Sequence, residues 1–337
     1  MIAVFFGTRP EIIKLGPLIN GLGTSARLIH TGQHFDRELS ELIFDDLNVS
    51  NVAQTLDVGG STRAQQIGQA VIKGATAVAG CKAIVVQGDT NSALAGAIVA
   101  NALEVPLFHV EAGLRSHDRR MPEEHNRVLI GYLADMCWAP TQGNVENLLT
   151  EGVSNRRIEM TGNSVLEALE SVLPTKVQIR DLLKEMDLVQ REFVLTTLHR
   201  PENVDDPDRL EMILKSLANL QLPVVFPMHP RTRATIVQAG LDNMVEGMTV
   251  VSPLNYKDFL SLLASCAVAI SDSGGVQEEV SVLKVPLVGW WVNKVLGRTT
   301  ITKWQARVFG FMLPIARLAE GIKVLPGLSV VAIARRP

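Results

Sequence analysis

Five clusters of polar residues interrupt an otherwise apolar chain, and each stands where an apolar run ends. The first is Phe6-Gly7-Thr8-Arg9-Pro10-Glu11 with Lys14. Gly7 permits a tight turn, and Pro10 suits the first position of a helix. Arg9 and Lys14 then stand near a helix N-terminus, whose spare N–H groups and partial positive charge suit a phosphate. An ordinary strand–helix turn with surface charges has the same pattern. The second cluster, Gln87-Gly88-Asp89-Thr90, follows Ala83–Val86. Asp89 there either caps the next helix or presents a carboxylate to a cleft.

The third cluster is the densest. It runs His109-Val110-Glu111-Ala112-Gly113-Leu114-Arg115 and then Asp118 to Arg127, with Pro122-Glu123-Glu124 inside it; eight of the seventeen residues from Glu111 to Arg127 are formally charged. A solvated loop would carry such charges, and a helix opening with Glu123 and Glu124 is favoured by its dipole alone. The chemical reading is a loop with acid/base carboxylates and cations, Arg115 among them, for an anionic substrate.

The fourth cluster, Leu198-His199-Arg200-Pro201-Glu202-Asn203, ends another apolar run, and His229-Pro230-Arg231-Thr232-Arg233 repeats the arrangement. Histidine beside arginine at such an end suits a phosphate; a satisfied loop histidine is the alternative. The fifth is Asp272-Ser273-Gly274-Gly275-Val276-Gln277-Glu278-Glu279. A strand, a Ser-Gly-Gly turn and a helix aim backbone N–H groups at one point, a phosphate cradle. Glu279 lies one turn further, within reach of ribose hydroxyls. The cluster lacks the GxGxxG fingerprint and a Gly-Lys-Ser/Thr ending, which argues against NAD and against a Walker loop. The seven histidines show no HExxH and no metal spacing, so no metal and no cofactor are expected.

The elements that must position these clusters alternate. Ile2–Phe6, Arg27–His30, Ala83–Gln87 and Leu107–Val110 read as buried strands, with helices over Pro10–Gly21 and Ser92–Leu103 between them. The pattern restarts with strands at Phe193–Leu198, Val224–Pro227, Thr249–Val251 and Ala267–Ser271 and helices around Pro207–Asn219, Tyr256–Leu263 and Val276–Leu283. Alternation of this kind means βαβ units and parallel sheets. The expectation is an α/β protein of two Rossmann-like, doubly wound domains facing a cleft, with ligands at the carboxyl ends of the strands. The junction falls near residues 165–190, dividing the chain into a domain over 1–168 that carries the carboxylates and a nucleotide domain over 169–337.

Composition narrows the class. With 337 residues, 47% of them hydrophobic and 20% charged, there is material for two cores. The net charge of −3 argues against nucleic acid or an anionic membrane as partner. Cys81, Cys137 and Cys266 are far apart and odd in number, and read as buried, reduced thiols. The opening MIAVFFGTRPE has no basic n-region, and no stretch approaches a membrane span, so the cytoplasm is the expected location.

Taken together, the five clusters resemble the non-hydrolysing UDP-N-acetylglucosamine 2-epimerases. Thr31-Gly32-Gln33-His34-Phe35, Ala139-Pro140-Thr141 and Thr161-Gly162-Asn163 extend the resemblance, which covers residues 1 to about 286 with the motifs in the family's order. It implies a glycosyltransferase-B-like fold, a homodimer, and no redox cofactor or required metal. It implies that UDP-N-acetylglucosamine and UDP-N-acetylmannosamine interconvert by elimination and re-addition of UDP through 2-acetamidoglucal. On this resemblance Asp89, Glu111, Glu123 and His199 match catalytic positions, and Arg9, Lys14, Ser273 and Glu279 match nucleotide-binding ones. Arg115, His229, Arg233, Gly274 and Gly275 are further expected ligands from the clusters above.

The resemblance stops near residue 287, where the family's Arg-Pro-Glu segment is missing. Residues 284–337 hold nine Lys/Arg and one acid, Glu320, while the rest holds 23 basic and 34 acidic residues; Trp290, Trp291 and Trp304 also fall in this tail. A shift of this size suggests a translated frameshift or an altered terminus, with ordinary divergence as the alternative. The competing readings are an epimerase of a diacetamido sugar, a hydrolysing 2-epimerase, a glycosyltransferase of the same fold, and an inactive UDP-sugar-binding homologue. The carboxylate density from Glu111 to Glu124 favours proton chemistry over glycosyl transfer.

Overall fold

The run Ile-Ala-Val-Phe-Phe has no polar position because the strand it forms, β1 (Ile2–Phe6), lies inside a sheet covered on both faces. The computed structural model describes residues 1–32, 54–58 and 62–289. Gln33, His34 and Phe35, and the tail from residue 290, lie outside the described residues. The chain divides into two compact units, Met1–Val172 and Leu173–Pro337.

In the first unit β1 is followed by α1 (Arg9–Leu22), β2 (Ala26–His30), β3 (Gln54–Thr55), α2 (Arg63–Ala77), β4 (Ala83–Gln87), α3 (Asn91–Ala102) and β5 (Leu107–Val110). Then come α4 (Pro122–Leu133), β6 (Met136–Ala139), α5 (Gln142–Thr150), β7 (Ile158–Met160) and α6 (Ser164–Val172). The seven strands pair in the order β3-β2-β1-β4-β5-β6-β7. Every pairing is parallel. The order reverses between β1 and β4, the switch point where ligands of such sheets enter. Behind it lies α3, apolar on nearly every side, and Gly96 lets it sit close: a Cβ there would come within 2.7 Å of Val86.

The second unit repeats the plan. It runs α7 (Lys176–Glu185), β8 (Val194–Thr197), α8 (Pro201–Val204), α9 (Pro207–Ala218), β9 (Val224–Pro227) and α10 (Pro230–Gln238). It ends with β10 (Thr249–Val251), α11 (Tyr256–Ser265), β11 (Val268–Ser271), α12 (Gly274–Leu283) and β12 (Leu287–Gly289). Its five parallel strands order as β10-β9-β8-β11-β12, with the switch point between β8 and β11. Its core gathers Val194, Leu210, Leu214, Phe226 and Ile236.

The two doubly wound domains of the glycosyltransferase-B-like class are thus both present. The strands expected from the apolar runs form within a residue or so of their expected ends. β3, β6 and β12 were not among the expected strands: the two-residue β3 has no apolar run, whereas the Met-Cys-Trp-Ala of β6 is a short one that directly follows the charged cluster and its helix. All three cysteines are buried and unpaired as disulfides, and burial pushes the Cys137 and Cys266 thiols up to about 11 and about 12. Among the described residues, no helix is long and apolar enough to cross a membrane, and no cluster of His, Cys, Asp and Glu could hold a metal.

Candidate functional site

The first two clusters meet at the switch point of the first sheet. Thr8 is the N-cap of α1, so Arg9 takes its first position and Pro10 its second. Gly7 is required for room: a Cβ there would lie 1.9 Å from Ser92 Oγ and 2.3 Å from Thr31 Oγ1. The charges that follow are not surface charges. Glu11 is only 1% exposed and accepts hydrogen bonds from the Gly7 N–H (3.0 Å), the Thr8 hydroxyl (2.8 Å) and the Thr90 hydroxyl (2.8 Å). Burial pushes its carboxyl up to about 7 against these donors. Lys14, also buried, sends Nζ to Glu111 Oε2 at 2.6 Å.

Glu111 follows β5 with φ of 64°, a left-handed backbone that costs a residue with a side chain roughly 1–2 kcal/mol. Its Oε2 receives both Lys14 and, at 2.6 Å, the Gln87 side-chain amide. A strained carboxylate held by a buried cation and an amide at a strand end suggests a place where geometry matters more than local stability.

Asp89 does not cap α3; Thr90 does, its hydroxyl accepting the Ala93 N–H at 3.0 Å. The Asp89 carboxylate instead pairs with Arg127 on α4. Burial pushes this carboxyl up, Arg127 opposes it, and the neighbouring charges of Glu111 and Glu123 push it further. Glu111 and Glu123 therefore both lie close enough to act on Asp89. Glu123 is exposed on the first turn of α4.

The backbone around Asp89 is pinned from two sides. Asn126 Nδ2 donates to the Asp89 carbonyl at 2.7 Å. His109 Nε2 lies 2.8 Å from the Gly88 carbonyl, and burial pushes this imidazole down to about 4, so it is neutral and donates there. Glu124 anchors the charged loop by accepting from the Ser116 N–H and hydroxyl, the His117 N–H and Arg127. Burial alone would raise its carboxyl; these donors outweigh it and hold it at about 2. Arg115 is placed elsewhere: its side chain is 1% exposed and forms a two-pronged pair with Glu151 at 2.7 and 2.6 Å.

At the second sheet's switch point, His199 follows β8 and Asp272 follows β11. His199 Nδ1 lies 2.9 Å from Asp272 Oδ1, with the histidine half exposed and the aspartate side chain 1% exposed. The same carboxylate accepts the His199 and Arg200 N–H groups and Asn203 Nδ2. Burial would raise it; the His199 contact and the other donors outweigh this and hold it at about 2. An imidazole donating through Nδ1 turns Nε2 outward, where it can accept or deliver a proton.

Ser273 is the N-cap of α12, and Gly274 and Gly275 open that helix. Ser273 makes no side-chain cap bond and its N–H donates to Ser271 Oγ at 2.9 Å, while a Cβ on Gly274 would meet nothing within 4 Å, so the turn is open beside Gly274. Glu279 is buried and accepts the Tyr256 hydroxyl at 2.9 Å. His229 caps α10, its Nδ1 accepting the Arg231 N–H at 3.2 Å, and Arg233 is exposed one residue pair further on.

Glu11, Gln87, Arg127 and Asp272 were not among the expected site residues. Asp272 had a signal, an acid at the end of an apolar strand before Ser-Gly-Gly. Arg127 lies in the charged loop that the composition marks out. Gln87 opens the second cluster as the one polar residue of its strand, whereas Tyr256 carries no signal that separates it from the other residues of its segment.

The family profile described as UDP-N-acetylglucosamine 2-epimerase matches residues 21–301, continuing past the point near 286 where the motifs stop. A UDP-N-acetylglucosamine 2-epimerase of Methanococcus maripaludis is 36% identical over 299 residues, covering 85% of this chain and 82% of that protein. A UDP-2,3-diacetamido-2,3-dideoxy-D-glucuronate 2-epimerase of Pseudomonas aeruginosa is 36% identical over 303 residues, with the same 85% and 82% coverage. Among solved structures, the Methanocaldococcus jannaschii UDP-GlcNAc 2-epimerase in complex with UDP-GlcNAc and UDP superposes with a TM-score of 0.77 at 36% identity, covering 86% of this chain and 83% of that one.

Proposed function

Because this chain belongs to the UDP-N-acetylglucosamine 2-epimerase family, we propose that it interconverts UDP-N-acetylglucosamine and UDP-N-acetylmannosamine by the non-hydrolysing route. The observation that carries the reading is a pair of carboxylates at the ends of the neighbouring strands β4 and β5, Asp89 paired with Arg127 and Glu111 with Lys14, with the charge of Glu123 also acting on Asp89.

The chemistry has to overcome a weakly acidic C2–H, which is not next to a carbonyl. A carboxylate takes that proton while the C1–O bond breaks; its electrons leave with the UDP oxygen and C1=C2 forms, giving 2-acetamidoglucal. UDP then adds back to C1, and a proton is delivered to the other face of C2. Two faces require two proton-transfer groups, and Asp89, Glu111 and Glu123 supply them. Burial, which pushes the Asp89 carboxyl up, makes it a better proton acceptor than an ordinary carboxylate. On the diphosphate side, His199 can deliver a proton or a hydrogen bond through Nε2. Arg9, Lys14 and the Ser273-Gly274-Gly275 turn stabilise the charge that builds as UDP departs. Glu279, held by Tyr256, takes the ribose hydroxyls. His229 and Arg233 are further candidates for phosphate contact, whereas Arg115 is committed to Glu151 and acts by holding the loop.

In this reading residues 1–168 carry the proton chemistry and residues 169–337 the nucleotide. A homodimer accounts for Val128, Leu129 and Tyr132, which lie 40%, 51% and 69% exposed along one side of α4. The Pseudomonas relative supports a second choice of sugar, a diacetamido glucuronate, acted on at the same carbon by the same groups. Incubation with each UDP-sugar, followed by proton NMR, separates the cases. UDP-N-acetylmannosamine formation supports the proposal. Free sugar plus UDP indicates hydrolysis, turnover of the diacetamido substrate alone indicates the second choice, and binding without turnover indicates an inactive homologue.

A further inference from the structure

A glutamate three residues after a helix N-cap ordinarily closes a capping box at the surface, bonding the cap's backbone while the cap hydroxyl bonds back to the helix. Glu11 stands at that position and departs from it in two ways. The Thr8 hydroxyl donates to Glu11 and makes no cap bond to the helix backbone. The carboxylate is also taken out of water, which an end cap does not need. One oxygen collects the Gly7 N–H and the Thr8 hydroxyl; the other reaches a residue 79 positions away, the Thr90 hydroxyl.

Thr90 is itself the N-cap of α3 and directly follows Asp89. A single carboxylate therefore ties the N-caps of two helices that leave neighbouring strands on either side of the switch point. Below it, the buried Thr31–Ser92 hydroxyl contact at 2.6 Å fills the room under Gly7, so the first loop cannot settle deeper. Asn126 holds the Asp89 carbonyl from the opposite side.

We infer that Glu11 is a positioning residue, a clasp that sets the loop carrying Asp89 relative to the loop carrying Arg9. Its kinetic consequence rests on the proposed reading of Asp89 as a proton-transfer group. Burial, which pushes the Glu11 carboxyl up to about 7, fits this role: the ionised form is worth keeping only while all three donors are aimed at it.

The test compares Glu11→Ala, Thr90→Val and Thr90→Ser with the wild-type protein by two independent readouts. Amide hydrogen exchange follows segments 6–11 and 87–92. Steady-state kinetics with UDP-N-acetylglucosamine gives kcat and KM. Loss of the clasp should speed exchange in both segments together, in Glu11→Ala and in the nearly isosteric Thr90→Val. It should lower kcat about tenfold or more, with a smaller change in KM, because displacement of a reacting group costs rate before affinity. Thr90→Ser, which keeps the hydroxyl, should restore both readouts. Unchanged exchange in 6–11 when Thr90 is replaced would overturn the clasp. So would a cooperatively melting Thr90→Val protein with wild-type kcat. If the wild-type protein does not epimerise, the reading of Asp89 falls, while coupled exchange still decides whether the clasp exists.

Discussion

Nδ1 of His199 lies 2.9 Å from Oδ1 of Asp272, across the switch point of the second sheet, and the aspartate has no room for another orientation because three further donors hold it. The pair fixes which ring nitrogen faces outward. Asp272→Asn preserves the shape and removes the charge that orients the ring. It should lower kcat about tenfold to a hundredfold, part of the usual contribution of a positioned acid or base. Asp272→Ala should also destabilise the second domain by about 1–3 kcal/mol, since it strands buried donors. Kinetics beside thermal melts of both variants checks this; wild-type kcat in Asp272→Asn would remove the orienting role.

Proton removal at C2 leaves an isotopic record. Turnover in heavy water should place deuterium at C2 of the product, read by NMR. Asp89→Asn and Glu111→Gln should each reduce kcat by about two to four orders of magnitude. Near-normal rates in both would take these carboxylates out of the reaction.

Stability should depend on pH with opposite signs at different sites. Glu124 and Asp272 are held at about 2 in the folded protein, below their ordinary 4.5 and 3.8. Their contribution is present above those ordinary values and lost as pH falls from about 4.5 towards 2. Glu11 is raised from 4.5 to about 7, so the folded state binds its proton more tightly than the unfolded chain, and stability from this group declines as pH rises across that window. His109, lowered from 6.5 to about 4, works in the reverse sense over much of the same range. Urea denaturation of the wild-type protein and Glu11→Gln, from pH 4.5 to 7.5, isolates the Glu11 part. The wild type should lose stability relative to the variant as pH rises, and parallel curves would contradict the assignment.

The exposed side of α4 gives a prediction about assembly. Light scattering should report twice the 36.7 kDa chain mass, and Tyr132→Glu, which puts a charge among Val128, Leu129 and residue 132, should shift it to the monomer. A wild-type monomer at micromolar concentration would rule the dimer out.

Much of this protein is written locally. Apolar runs such as Ile2–Phe6 and Ala83–Val86 form buried parallel strands because no polar side chain has to find water. The clusters after them fall at strand ends because that is where the run stops. The fold class was legible for that reason, and so was the place of Asp89 and Glu111 after strands of the first sheet and of His199 and Ser273 after strands of the second. Pairing is not local. Glu11 and Thr90 are 79 residues apart, Lys14 and Glu111 are 97 apart, and His199 and Asp272 are 73 apart. Arg115, read along the chain as a cation for an anionic ligand, finds Glu151 two helices and a strand later. A run of residues sets its own periodicity and where it must end; which strand lies beside it depends on how all the strands order in the sheet. Only the reversal of strand order at β1 and β4, and again at β8 and β11, brings these distant ends together, and so only the tertiary structure decided which carboxylates hold the site and which are held in it.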